Sequence, residues 1–267
     1  MKKVKAHHIF AGAMAFAMIL SNTTTSMNAS ENSIKIGVRS DIVNYSYYSK
    51  TNKQYYGFEI DLANQLAEDL GYSNVQFIRV KPSNRKEKLL KNKVDCVIAS
   101  YSISDSRKKD LDFSPAYYTD ETKIMVEKST LISEINDLAG MNIGILDGTN
   151  AGPLLAIKLN EEGLISEILE DTDDYTQYDN GVRVTHYKTY ADVSEALETG
   201  EIDAACMDGV IANMYKDNTR QFLDVNVATQ EYGVATKKGS SLTKKIRKLI
   251  KQYLKDGTIN TLKDKWD

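Results

Sequence analysis

Residues 89–100 read LLKNKVDCVIAS and residues 196–208 read ALETGEIDAACMD. In each, a helix ends in a polar turn, an acid opens a short apolar strand, and a polar residue, Ser100 or Asp208, stands at the strand's carboxyl end. A helix–turn–strand unit that occurs twice predicts two similar α/β lobes.

The flanking sequence carries the same alternation. IKIGVR (34–39) and VQFIRV (75–80) read as strands. Between them FEIDLANQLAEDLG (58–71) sets Phe58, Leu62, Leu66 and Leu70 at helical spacing, with Gly71 as the stop. NRKEKLLKN (84–92) is a short helix. The pattern restarts with the strand MNIGILDGTN (141–150) and the helix AGPLLAIKLNEEG (151–163), which has Pro153 in its first turn. VRVTHY (182–187) and YADVSEALETG (190–200) follow as strand and helix, and YGVATKK (232–238) returns to strand. In the last long helix, SLTKKIRKLIKQYLKDG (241–257), Leu242, Ile246, Leu249, Tyr253 and Leu254 form an apolar stripe for the core, and the lysines face solvent. Alternation of this kind implies mainly parallel sheets flanked by helices.

In open parallel sheets ligands bind outside the carboxyl ends of the strands. There the chain places Arg39, with Tyr45 shortly after it; then Ser83, Asn84 and Arg85; then Ser100, Ser102 and Arg107 within ASYSISDSRKKDLDFS (99–114). The second lobe supplies Thr149 and Asn150 at a glycine turn opening a helix, together with Tyr190 and Asp208. Arginine is scarce, seven against 27 lysines, yet three of the seven fall at strand ends of one lobe. Its planar fork holds a carboxylate by two parallel hydrogen bonds, which lysine cannot do. A helix start also favours an anion, and Asp208 suits an ammonium group. Together these describe an amino acid. Each residue has a plainer use: Asp208 can cap a helix, serines can satisfy turn amides, and the arginines can be solvated. The coincidence of positions, rather than any one residue, carries the reading.

The rest of the composition narrows the class. MKKVKAHH, IFAGAMAFAMIL and SNTTTSMNAS form the basic, apolar and small-polar sequence of a secretory signal peptide over residues 1–29. Its apolar run of twelve is too short for a membrane span, and no cysteine offers a lipid attachment point. The mature chain is then expected outside the cytoplasm, in the periplasm or the cell-envelope space. The formal charge of −3, which becomes −6 once Lys2, Lys3 and Lys5 leave, argues against nucleic acid. Cys96 and Cys206 lie in separate apolar runs and read as two free thiols. His186 is the one histidine left after the signal, so no metal site or cofactor is expected. The acidic run DTDDYTQYDN (171–180) lacks calcium-loop spacing and reads as a solvated excursion.

GFEIDLANQLAEDLG, NRKEKLLKNKVDCVIASYSISDSRKKDLDFSPAYY, IGILDGTN, ALETGEIDAACMD and YGVATKKG together resemble the family 3 extracellular solute-binding proteins of amino-acid ABC transporters. The resemblance implies a two-lobed periplasmic-binding-protein fold of type II, with lobe 1 at 30–121 and 229–267, lobe 2 at 122–228, and two hinge strands between them. It implies that Arg107 and Ser102 hold an α-carboxylate with the amides near Thr149, and that Asp208 takes the ammonium. GVR and NR look like the glutamate/aspartate branch, in which Arg39 and Arg85 face a side-chain carboxylate. Tyr190 stands where some members carry histidine. The implied protein is a non-enzymatic monomer that hands glutamate or aspartate to a membrane permease. Two alternatives remain: a binder of glutamine or another polar amino acid, and a cyclohexadienyl dehydratase-like enzyme. The latter needs a general acid, for which Asp208 and Glu59 are the candidates.

Overall fold

A computed structural model describes residues 32–267, and the expected signal peptide lies outside them. Two sheets organise the chain. The first has the order Asn74–Arg79, Ser33–Val38, Cys96–Val97, Ala235–Lys237, Leu111–Phe113. Its first three strands are parallel and the last two pairings antiparallel. The second has the order Ile168–Asp171, Tyr175–Tyr178, Arg183–Tyr187, Asn142–Leu146, Ala204–Asp208, Tyr118–Glu127, Arg220–Phe222. At its centre Arg183–Tyr187, Asn142–Leu146 and Ala204–Asp208 are parallel. The two quoted units therefore deliver corresponding strands, Cys96–Val97 and Ala204–Asp208, to different sheets.

Two strands, one long and one short, link the lobes. Tyr118–Glu127 leaves the first lobe and enters the second sheet, and Ala228–Tyr232 returns antiparallel beside it, with Gln230 opposite Asp120 and Tyr232 opposite Tyr118. Alternation along the returning strand buries Gln230 and Tyr232 and exposes Thr229 and Glu231.

The helices form where their ends are satisfied. Phe58–Asp69 starts after Gly57, whose φ of +123° only glycine adopts readily. A Cβ there would stand 2.4 Å from the backbone of Tyr45. Tyr190–Thr199 is capped by the Thr189 hydroxyl, which accepts the Asp192 N–H at 3.1 Å, and stops at left-handed Gly200. Ser241–Asp256 buries Ile246, Ile250 and Tyr253, half-buries Leu242 and Leu249, and leaves Leu254 45% exposed. The stripe thus runs through Ile250 rather than Leu254, because the helix turns 3.6 residues per cycle.

The segment after Arg39, for which the sequence predicts no element, is a three-stranded meander, Asp41–Ile42, Ser46–Ser49 and Gln54–Tyr56, and one expectation changes. The acidic run is mainly an antiparallel hairpin, Ile168–Asp171 with Tyr175–Tyr178, extending the edge of the second sheet. Asp171, Asp173 and Asp174 are exposed as expected, Asp179 is half-buried against Ser166, and much of the backbone is paired. Cys96 and Cys206 are buried, unpaired and in different sheets. Among the described residues no helix is long and apolar enough to cross a membrane.

Candidate functional site

The strand ends of the two sheets face one another, and polar groups converge there. The turn after Cys96–Val97 is held from both sides. Ser100 sits at φ +45°, a left-handed conformation that costs a non-glycine residue about 1 kcal/mol or more. Its N–H donates to Glu59 Oε1 at 2.6 Å, while Arg85 Nη1 donates to the carbonyls of Ala99 at 2.6 Å and Ser100 at 3.1 Å. Acid on the amide and cation on the carbonyls fix the hydroxyl-bearing loop. The ring of Tyr101 lies beneath both Arg85 and Arg107, at 3.9 and 4.8 Å from its centroid.

Arg107 crosses between lobes. Its Nη1 donates to the Ser102 carbonyl at 2.9 Å and its Nη2 reaches the Gly148 carbonyl at 3.4 Å. Gly148, at φ +74°, lies so close to Pro82 and Ser83 that a Cβ would be 2.6 Å from the Ser83 nitrogen. The lobes therefore meet backbone to backbone over the site.

Thr149 turns its hydroxyl back to the Leu146 carbonyl at 2.7 Å. Asn150 precedes the helix Ala151–Glu161 without capping it through its side chain. Asp208 ends its strand nine-tenths buried, its Oδ1 accepting from Gln230 Nε2 at 2.6 Å. Burial raises its carboxyl above the ordinary range, and the Gln230 hydrogen bond and nearby Arg85 oppose that rise. Tyr45 packs its ring between Phe58 and Tyr118, each 5.3 Å away.

Arg39 differs from the expectation. It is held by Asp41 through two bonds, Nε to Oδ1 at 2.9 Å and Nη2 to Oδ2 at 2.7 Å, and faces the Tyr190 ring at 5.6 Å. Burial disfavours its charge, but the bond and charge of Asp41 outweigh this and hold the guanidinium above its usual range. A cavity of about 160 Å³ beside it is lined from both lobes by Arg39, Asp41, Ser83, Asp147 and Tyr190.

The charge pattern is selective. Of the three buried arginines, Arg39 holds Asp41 and Arg220 holds Glu127 at 2.7 Å, whereas Arg85 has no carboxylate within ion-pair distance among the described residues. Burial, then the neighbouring charge of Arg107, lowers Arg85 to about 10, so it remains a cation at neutral pH. Buried side-chain polar atoms without a partner among the described residues are Tyr45 Oη, Glu59 Oε2, Arg85 Nε, Ser100 Oγ and Tyr190 Oη. Four of those five residues are ones the sequence placed in the ligand site, and the fifth, Glu59, is its general-acid candidate.

The sequence brought in Glu59 only as a general acid for the enzyme alternative and assigned Gln230 no role. Glu59 is fully buried, accepts from Ser100 N–H and Tyr117 Oη, and is pushed by burial from an ordinary 4.5 up to about 7. The folded chain therefore keeps a proton that the unfolded chain releases between pH 4.5 and 7. Stability from this group is full below pH 4.5 and is lost as pH rises through that interval, by on the order of 3 kcal/mol. Glu59→Gln, which imitates the protonated acid, should flatten that slope in urea unfolding at pH 5 and pH 8; an unchanged slope would assign it to another group.

Two α/β lobes joined by two crossing strands, with polar side chains buried where they face, define the class of two-lobed ligand-capturing proteins, the type II periplasmic-binding fold. The chain belongs to the family of bacterial extracellular solute-binding proteins, family 3, which it matches over residues 34–267. It is 32% identical over 216 residues to the L-cystine-binding protein TcyJ of Escherichia coli (strain K12), spanning 79% of this chain and 73% of that protein. It is 28% identical over 239 residues to the ABC transporter glutamine-binding protein GlnH of Bacillus subtilis (strain 168), spanning 87% and 80%. The crystal structure of the ancestral amino acid-binding protein AncCDT-1, a precursor of cyclohexadienyl dehydratase, matches with a TM-score of 0.71 at 27% identity over 88% of this chain and 95% of that one. The chain is thus an amino-acid-binding extracellular solute-binding protein of the ABC-transport kind.

Proposed function

We propose that the protein captures an acidic amino acid, glutamate or aspartate, between its lobes outside the cytoplasm and delivers it to an ABC permease. One observation carries the acidic specificity: among the described residues, Arg85 is a buried cation whose hydrogen bonds reach only backbone carbonyls, with no carboxylate paired to it. An uncompensated buried charge costs several kcal/mol, which a ligand carboxylate offsets. With Arg39 held by Asp41, the cations Arg85 and Arg107 remain, and Asp208 is the acid at the second sheet's strand end without an ion pair among the described residues. The other buried acids nearby, Glu59 and Asp120, are raised by burial and take hydrogen bonds from Tyr117 and Tyr232. Two carboxylates and one ammonium match that set. Arg107 then serves the α-carboxylate, Arg85 the side chain and Asp208 the ammonium. The two relatives are named for cystine and glutamine, so this specificity differs from theirs. Calorimetry of ligand-stripped protein against glutamate, aspartate, glutamine, arginine and cystine tests it; tighter binding of a neutral or cationic amino acid would overturn the acidic assignment.

A dehydratase reading draws on Glu59, a buried carboxyl brought to about 7 beside the cleft. Conversion of a cyclohexadienyl acid by the purified protein, lost in Glu59→Gln, would support it; turnover-free binding would remove it.

Lobe contact gives a separate expectation. Gly148→Ala places a Cβ against the Ser83 backbone at a left-handed position, which should hold the lobes apart and weaken glutamate by about 1–2 kcal/mol. Unchanged affinity would show that ligand is held with the lobes further apart.

A further inference from the structure

Gln230 lies in the middle of the returning strand Ala228–Tyr232, 3% exposed, with its carboxamide engaged on every side. Its Oε1 accepts from Ser102 Oγ at 2.6 Å, and its Nε2 donates to Thr122 Oγ1 at 2.7 Å and to Asp208 Oδ1 at 2.6 Å. Ser102 belongs to the arginine-bearing loop of the first lobe and Asp208 ends a strand of the second sheet. Among the described residues, this is the side chain that hydrogen-bonds both. The directions of the bonds are forced. Asp208 as an anion only accepts, so the NH2 end must face it, and the carbonyl end must then take the hydroxyl of Ser102.

We infer that Gln230 is a positioning residue for ligand capture, aligning Asp208 and Ser102 across the crossing strands without contacting the ligand itself. This rests on the amino-acid reading proposed above. Both of its NH2 hydrogens and its principal acceptor site are already in use, so its influence passes through the groups it holds. An amide suits the place because it donates to an acid and accepts from a hydroxyl without adding charge. A hydrocarbon would leave Asp208 with one fewer donor, and an ionised carboxylate would set a second anion against it.

Charged and titratable groups face Asp208 from each neighbouring element: Arg39 and Arg85 of the first lobe, Arg107 of its loop, Asp120 and Tyr232 of the crossing strands, and Tyr190 of its helix. The Gln230 bond is one of the influences that keep the Asp208 carboxylate ionised.

Two near-isosteric variants then have opposite pH trends. In Gln230→Leu, Asp208 takes up a proton more readily, so the loss of glutamate affinity relative to the parent should grow as pH falls from 8 to 5.5. In Gln230→Glu, two carboxylates meet at pH 8, and affinity should drop by about tenfold or more. On acidification they share one proton, the new side chain again donates to Asp208 and accepts from Ser102, and the loss should shrink. Calorimetric titration of parent and both variants with glutamate across this range reads the result. Losses that do not vary with pH would assign Gln230 to packing alone, and parental affinity in both variants would remove any role; either overturns the inference. A parent that binds no amino acid overturns instead the functional reading beneath it.

Discussion

Arg107→Ala and Asp208→Asn should each weaken every amino-acid ligand, by about 2–5 kcal/mol, whatever its side chain. The groups they are proposed to meet, a carboxylate and an ammonium, are common to all amino acids. Arg107 reaches the site from one lobe and touches the Gly148 carbonyl of the other. Asp208 is buried, has one oxygen satisfied by Gln230, and has no cation in ion-pair contact among the described residues. Asp208→Asn keeps the shape and the acceptor for Gln230 while removing the charge, so its loss reports the ammonium interaction rather than a collapsed site. Glutarate, which lacks the ammonium, provides the control: its affinity should be far less sensitive to Asp208→Asn than that of glutamate. Equal affinity of Asp208→Asn and parent for glutamate would place the ammonium elsewhere.

The two-lobe arrangement was legible because it is written in local pattern. LLKNKVDCVIAS and ALETGEIDAACMD each state a helix, a stop and a strand, and the strand-end rule then nominates Arg85, Ser100, Arg107 and Asp208 without knowledge of the sheet order. What escaped depends on partners distant in sequence, or on conformations that no pattern encodes. Asp41 lies two residues from Arg39, but whether an acid in a turn folds back on a neighbouring arginine depends on the meander that follows. Glu59, named from the sequence only as a possible general acid, otherwise looks like a first-turn acid of an ordinary helix; its burial depends on the approach of the loop at Ser100, 41 residues on. Gln230 did leave a trace. In ATQEY (228–232) it shares the inward phase with Tyr232, and a polar residue at an inward position asks what it bonds. The hairpin within 168–178 left little, since ILED and YTQY are too mixed in polarity to alternate cleanly.

Arg85→Ala should separate acidic from neutral ligands: a loss of about 3 kcal/mol for glutamate against about 1 kcal/mol or less for glutamine. The difference between the two losses is the informative quantity. Arg85 also holds the carbonyls of Ala99 and Ser100, so removing it loosens a loop that serves any amino acid. That cost is common to both ligands and cancels in the comparison. What survives is the interaction of a buried guanidinium with a carboxylate that an amide does not reproduce. Arg39 is not expected to give the same result. Its charge is already met by Asp41, so Arg39→Ala leaves that acid exposed to the cleft and should penalise glutamate by repulsion from Asp41. The double variant of Arg39 and Asp41 to Ala should then recover most of that penalty, while no change at Asp41 recovers Arg85→Ala. Equal losses of glutamate and glutamine in Arg85→Ala would confine this arginine to holding the loop, and the acidic specificity would have to be sought at another cation.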